Sequence, residues 1–217
     1  SKSLFLDFFE VKNDDIRRTR EGIYRSWKIN SSKIIKIIAL DTRTFKDDFK
    51  LNYKKNIKKK YIKNFDKEKT ILGNSQWNWL DKEIDDKYDI LIILSSIQVI
   101  TKSHGWEKWD NFPHERNKLL NALSNVKKKV ILLSGDRHVG GFYKVKINKK
   151  VIYEITSSSL NQRVFSFNEN DELRVGSLVQ NNNFGHIEFN LDLSKLEISL
   201  KSTIDKNLSF FKKTIFF

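Results

Sequence analysis

The chain has 217 residues, 39% of them hydrophobic, which is enough for one folded domain with a substantial core. The absence of cysteine excludes disulfides and thiolate metal ligands, and no apolar run reaches the roughly 18 residues of a membrane-spanning helix. The net charge of +14 is typical of proteins with anionic partners, although lysines spread along the whole chain favour solvated surfaces over a dedicated binding face.

The first predicted element is an amphipathic helix at the start of the chain. Leu4, Phe5, Phe8 and Phe9 recur there at helical spacing. The pattern is already running at Ser1, and the sequence contains no methionine. We therefore expect the chain to open partway through a helix, as a piece of a longer protein would.

Apolar segments and turn signals along the rest of the chain predict alternating strands and helices, followed by hairpins. The predicted strands are 22–28, 33–40, 88–95, 130–134, 142–147, 151–156, 185–191 and 195–201, and the predicted helices are 76–84 and a segment that begins at Pro113. Asn74 or Ser75 is the expected N-cap of the first of these helices. This order predicts a single α/β domain over residues 1–217, with a mixed central sheet and a second sheet beside it.

The segment from Val130 to Gly141 holds the strongest candidate site. A short apolar run, typical of a strand buried on both faces, breaks at Gly135 into a polar turn that carries Asp136 and His138. Sites in open α/β sheets collect beyond the carboxyl ends of such strands. A carboxylate and an imidazole suit zinc or iron, whereas the alternative interpretation is that both residues only cap a turn.

Three other segments carry polar or aromatic residues that need an explanation. Asp41 and Arg43 follow a strand, and we expect them to pair with each other. The loop from Thr101 to His114 contains two tryptophans and the chain's one proline, so it either folds onto the core or lines a cleft. Residues 50–63 contain seven lysines and are the best candidate for nucleic-acid binding, with a solvated surface excursion as the alternative.

Taken in order, these segments resemble the PhoD-like alkaline phosphatase (alkaline phosphatase D) family of calcineurin-like metallophosphatases. The matching segments are 3–9, 21–27, 39–43 (ALDTR), 72–80 (LGNSQWNWL), 95–99 (SSIQV), 105–116 (GWEKWDNFPHER), 133–138 (LSGDRH), 156–160 (TSSSL) and 183–185. Residues 105–116 followed by 134–138 are the most specific part of the resemblance. It covers most of the chain.

The resemblance implies a metallophosphatase-type layered α/β sandwich that hydrolyses phosphomonoesters or phosphodiesters at a two-metal centre. Asp136 and His138 are then metal ligands for divalent or trivalent ions, with iron, calcium, zinc and manganese as candidates. His104 is a candidate proton donor to the leaving group, and Trp109 and Arg137 are candidate substrate-binding residues, Arg137 with a structural role as the preferred alternative. Family members are often exported, so the resemblance implies a periplasmic or secreted protein.

Two family motifs that supply most of the metal ligands do not occur in this sequence. They are a Gly-Asp-Asn turn and a Trp-Asp-Asp-His-Asp segment, both upstream of the parts that match. We therefore expect the chain to be the C-terminal part of the domain, with little hydrolytic activity of its own.

Two other functions stay open from the sequence. One is a basic nucleic-acid-binding module centred on the lysines of residues 50–63, and the other is a non-catalytic remnant of the fold. In the enzyme interpretation the partner is a phosphate ester, with nucleic acid only as a possible substrate, and no protein partner is predicted.

Overall fold

The computed structural model describes residues 2–54, 60–85, 87–162 and 169–217. The helices are α1 (Lys2–Phe8), α2 (Gly73–Ile84) and α3 (Pro113–Asn125), and short 3-10 turns lie at Ile16–Arg18 and Trp109–Asn111. The strands are β1 (Arg25–Asn30), β2 (Ile34–Ala39), β3 (Ile90–Ser95), β4 (Lys129–Ser134), β5 (Gly140–Ile147), β6 (Lys150–Ser157), β7 (Asn183–Asn190), β8 (Lys195–Ser202) and β9 (Ser209–Phe216). The predicted α/β class is confirmed.

The central sheet has six strands in the order β1-β2-β3-β4-β6-β5. Strands β2, β3, β4 and β6 run parallel, while β1 and β5 pair antiparallel at the two edges. Strands β3 and β4 consist mostly of Ile, Leu and Val because helices cover one face of the sheet and a second sheet covers the other. The carboxyl ends of the four parallel strands therefore lie along one edge of the sheet.

Alternate side chains of β4 pack into different layers. Val130 and Leu132 belong to the cluster that includes Trp77 of α2 and Leu120 of α3. Ile131 belongs to a second cluster, formed with residues of the antiparallel sheet β7-β8-β9 such as Ile198. The two-residue period of a strand thus divides one apolar sequence between two cores, which gives the predicted layered sandwich.

Helix α2 begins earlier than the sequence predicts. It starts at Gly73, which has a φ of +67°, and Leu72 occupies the cap position without a side-chain hydrogen bond. The nearby backbone donors find acceptors elsewhere: the Gly73 N–H donates to Thr70 Oγ1 at 2.9 Å, and the Ile71 N–H donates to Glu115 Oε2 at 2.7 Å. Thr70 therefore supplies the acceptor expected of Asn74 or Ser75, and Glu115 of α3 holds the segment that enters the helix.

Strand β9 is an element that the sequence analysis did not predict. It pairs antiparallel with β8 along most of its length and buries Ile215 against the second cluster. Most of its other side chains are exposed or half-buried, so its sequence lacks the strong apolar alternation of the other strands. Among the described residues, no helix is both long and apolar enough to cross a membrane.

Candidate functional site

The turn after β4 exposes both predicted metal ligands. Asp136 and His138 are solvent-exposed, while Arg137 between them is buried. Asp136 has a φ of 68° and His138 a φ of 55°, the left-handed region that residues with a Cβ rarely adopt. Holding a non-glycine residue there costs roughly 1–3 kcal/mol, and such conformations concentrate at functional sites.

Hydrogen bonds from the chain after β6 hold the backbone of this turn. Ser159 Oγ donates to the His138 carbonyl at 2.6 Å, and Ser158 Oγ donates to the Val139 carbonyl at 3.3 Å. Within the turn, the Arg137 N–H donates to the Gly135 carbonyl at 2.9 Å. The serine-rich segment thus connects the ends of two neighbouring parallel strands.

Arg137 forms a buried ion pair with Glu169. Its Nη2 donates to Glu169 Oε2 at 2.8 Å, and the two side chains are 6% and 7% exposed. Burial lowers the pKa of the Arg137 guanidinium and raises the pKa of the Glu169 carboxyl, and the charge of each partner opposes the shift of the other. The Arg137 charge thus lies inside the protein beside a carboxylate, which favours the preferred structural role over substrate binding.

Asp41 organises the loop that follows β2. Its carboxylate accepts hydrogen bonds from the backbone of Arg43, Thr44 and Ile23 at 2.9 Å and from Thr44 Oγ1 at 2.6 Å. Burial alone would raise the pKa of Asp41, but these hydrogen bonds hold it below its ordinary value. Asp41 is therefore a structural acceptor.

The side chain of Arg43 does not pair with Asp41 as expected, since only its backbone N–H does. Nη1 donates to Glu107 Oε2 at 3.0 Å, and Nη2 lies 4.0 Å from Asp136 Oδ1, with the side chain 59% exposed. Arg43 also lines a cleft of about 480 Å³ together with Phe5 and Ser96. An exposed guanidinium beside Asp136 is a functional candidate that the sequence analysis missed.

The tryptophan-rich loop after β3 folds onto the core. Trp109 is completely buried, donates from Nε1 to Ser95 Oγ at 3.0 Å and packs edge-on against Trp77. Of the two alternatives for this loop, the structure has the one in which it folds onto the core, and the buried Trp109 ring favours a packing role over substrate binding. His104 is also buried, and its Nδ1 accepts a hydrogen bond from the Trp106 N–H at 3.1 Å, which favours a role in loop packing over proton donation.

Two buried charged residues secure the start of this loop. Glu154 of β6 accepts hydrogen bonds from the backbone of Val99 at 2.8 Å and of Ile100 at 2.6 Å. Arg116 of α3 donates to the carbonyls of the same two residues, at 2.7 and 2.6 Å. Four backbone groups are thereby satisfied by side chains of opposite charge, which fixes the loop to both the sheet and the helix.

The lysine-rich segment proposed for nucleic-acid binding is described only in part, because residues 55–59 lie outside the described residues. Leu51 and Tyr61 form an isolated antiparallel bridge on its two sides. Lys63 forms an ion pair at 2.9 Å with the buried Asp110, so this lysine supports the loop after β3.

A metal site needs more donors than the turn after β4 supplies. Nowhere in residues 2–54, 60–85, 87–162 and 169–217 do three or more His, Asp or Glu side chains come together as a potential metal site. The sheet edge brings together the turn with Asp136 and His138, the exposed Arg43, and a cleft next to them. The turn thus exposes one carboxylate and one imidazole, and Arg43 exposes a guanidinium beside the carboxylate.

Comparison with known proteins shows which fold and which family the chain shares. A solved structure of PhoD superimposes on the chain with a TM-score of 0.69 and 13% sequence identity, and the match covers 99% of this chain and 45% of that one. The likeness shows a shared fold, and the chain spans less than half the length of that PhoD chain. No curated protein sequence gives a match. A sequence model of PhoD-like phosphatases matches residues 5–202, and the chain therefore belongs to the PhoD-like phosphatase family.

Proposed function

We propose that the chain contributes part of the active site of a metal-dependent phosphatase, in which Asp136 and His138 are metal ligands and a phosphomonoester or phosphodiester is the substrate. The observation that carries the proposal is the exposed pair Asp136 and His138, held left-handed at the carboxyl edge of a parallel sheet. Membership of the PhoD-like phosphatase family supports phosphate ester hydrolysis as the reaction class.

The donors of the turn fit such a metal in type but are too few for a complete site. Carboxylate oxygen and imidazole nitrogen together suit iron, zinc or manganese, whereas calcium prefers oxygen donors alone. Metal centres usually take four or more ligands, so the remaining donors are proposed to come from outside the described residues. When bound, the cations would withdraw charge from the phosphoryl oxygens and lower the pKa of water.

The chain's own contribution is to hold donors and to bind charge. Ser158 and Ser159 hold the backbone of the turn, and we propose that Asp136 and His138 therefore need little reorganisation to reach a cation. Arg43, fixed on one side by Glu107, presents the rest of its guanidinium fork to solvent beside Asp136. Such a fork binds two phosphoryl oxygens at once, and we propose that role for it.

The test uses the protein produced from its complete reading frame. Metal content is measured by mass spectrometry, and hydrolysis is measured on p-nitrophenyl phosphate and bis(p-nitrophenyl) phosphate. We expect Asp136→Ala and His138→Ala each to lower metal content and turnover together, turnover by about 10²- to 10³-fold, since a ligand is removed. Full metal content and full turnover in either variant would contradict the assignment.

Two matched substitutions test whether the loss of any carboxylate or imidazole, away from the proposed site, has the same effect. Asp192→Ala changes an exposed aspartate in the turn between β7 and β8, and His186→Ala changes a half-buried histidine on β7. Both lie in the second sheet, and we expect wild-type metal content and turnover. Metal binding without hydrolysis in the wild-type protein would instead favour the non-catalytic remnant.

A further inference from the structure

Directly beneath the exposed pair Asp136 and His138 lies a buried pair of opposite charges. The Arg137 and Glu169 side chains are almost completely enclosed and meet at 2.8 Å. Burying two charges carries a desolvation cost that often exceeds the gain from their attraction, so such a pair is weak evidence for stability. A buried ion pair can instead favour one backbone conformation over others. The turn after β4 has a backbone conformation that is unfavourable by itself.

The backbone on both sides of Arg137 adopts the same unfavourable conformation. Asp136 and His138 are each left-handed, and nothing in their side chains' covalent structure requires it. With both neighbours in this conformation, the arginine enters the protein while the carboxylate and the imidazole stay outside. The conformation of the two exposed residues and the burial of the arginine are therefore linked.

Glu169 is itself held in place independently of Arg137. Arg174 Nη1 donates to the Glu169 carbonyl at 2.8 Å, and the Leu173 N–H donates to Asp171 Oδ1 at 2.9 Å, which closes a turn just after it. The segment that carries Glu169 also pairs with β5, where the Lys144 N–H donates to the Leu173 carbonyl at 2.8 Å. The backbone that carries Glu169 is thus held by contacts that do not involve Arg137.

We propose that Glu169, through its ion pair with Arg137, is a positioning residue that keeps the backbone of Asp136 and His138 left-handed and so presents the two donors in one arrangement. The role in metal binding depends on the function proposed above, whereas the effect on the backbone does not. Neither Glu169 nor Arg137 needs to touch metal or substrate in this role.

The first measurement is the mobility of the turn, by ¹⁵N relaxation on the metal-free protein. We expect Glu169→Gln to reduce the backbone order parameters of residues 136–138 from about 0.85 to below about 0.6, with the rest of the sheet unchanged. Glu172→Gln is the matched control, because Glu172 is an exposed glutamate in the same segment, and it should leave the turn ordered. Unchanged order at Asp136 and His138 in Glu169→Gln would overturn the proposal.

The second measurement is the affinity for Mn²⁺ or Zn²⁺ by calorimetry, with thermal unfolding recorded in parallel. We expect Glu169→Gln to weaken binding by about 10- to 100-fold, as for other residues that orient metal ligands, and Glu172→Gln to have no effect. If the wild-type protein binds no metal and the turn is disordered in Glu169→Gln, the proposed function is refuted and the positioning role stays intact. An ordered turn with weakened metal binding would refute the positioning role.

A milder variant covers the outcome in which Glu169→Gln fails to fold. Arg137→Lys keeps the positive charge but has no planar fork to meet the Glu169 carboxylate. We expect it to fold, to raise the mobility of residues 136–138 and to weaken metal binding by less than Glu169→Gln does. If Arg137→Lys lowers the unfolding temperature without a local change in mobility, the pair only stabilises the fold and the proposal is wrong.

Discussion

Two loops leave the same edge of the central sheet and use their polar residues in opposite ways. The loop after β3 buries Gln98, His104, Lys108 and Trp109. The turn after β4 instead exposes Asp136 and His138 on a strained backbone and buries the arginine between them. Both sequences look like sites when read alone. The difference shows that a polar residue just after a strand indicates a functional site only where its side chain is not already taken up in structural contacts.

The largest effect is expected where the strained turn is relaxed. Asp136→Gly removes the proposed ligand and also the Cβ that makes a φ of 68° unfavourable. We expect turnover of the complete protein to fall by about 10³-fold, equivalent to about 4 kcal/mol. The free energy of unfolding should rise by about 1 kcal/mol, since glycine adopts this conformation without strain.

Two measurements on the wild-type and variant proteins check whether turnover falls while stability rises. They are urea unfolding and a steady-state assay. The matched control is Asp205→Gly, which changes an exposed aspartate in the β8–β9 connection. That control should lose stability and keep its turnover. If Asp136→Gly lost as much stability as Asp205→Gly, which carries the same entropy cost of a glycine, the left-handed turn would not be storing strain.

The next effect belongs to the loop after β3 and falls on stability instead. Glu154→Gln replaces a buried carboxylate that accepts two backbone hydrogen bonds by an amide, and it leaves the nearby Arg116 without that charge. We expect the free energy of unfolding to fall by about 3 kcal/mol in urea titrations, because the amide nitrogen cannot accept the second hydrogen bond and leaves a buried backbone donor unsatisfied. The exposed Glu188 gives the control Glu188→Gln, with a change within about 0.5 kcal/mol. A Glu154→Gln change equally small would mean that the loop does not depend on this carboxylate.

The sequence predicted the parts of this edge that depend on local pattern. The apolar runs predicted the buried parallel strands, and the break at Gly135 indicated that Asp136 and His138 lie just beyond β4. It could not predict the partner of Arg43, because Glu107 lies 64 residues away and reaches it only once the fold forms. The role of Trp109 stayed open for the complementary reason, because an aromatic loop is compatible with a cleft or a core until its neighbours are known.

A smaller loss of stability is expected from the aromatic anchor of the loop after β3. Trp109→Phe removes the hydrogen bond from Nε1 to Ser95 and leaves a small cavity beside Trp77. We expect the free energy of unfolding to fall by about 2 kcal/mol, and kcat and KM of the complete protein to stay at wild-type values. Trp106→Phe, at a more exposed position in the same loop, is the control and should cost less than half as much. A rise in KM with unchanged stability would restore Trp109 as a substrate-binding residue.

The smallest effect is expected for Arg43, which contacts both the turn after β4 and the loop after β3. The prediction tests whether Arg43 binds substrate beside the turn or only stabilises the loop. Its ion pair with Glu107 is largely exposed and contributes little stability, so Arg43→Lys should change the free energy of unfolding by less than about 0.5 kcal/mol. If the guanidinium holds two phosphoryl oxygens, lysine cannot replace it, and kcat/KM should fall about tenfold, or about 1.4 kcal/mol. Inhibition by inorganic phosphate should weaken in parallel. Arg25→Lys is the control, because Arg25, on the edge strand β1, is also half-exposed and paired with a carboxylate, that of Asp15. Loss of stability at unchanged kcat/KM would assign Arg43 to the loop after β3, and its guanidinium would then have no part in binding phosphate.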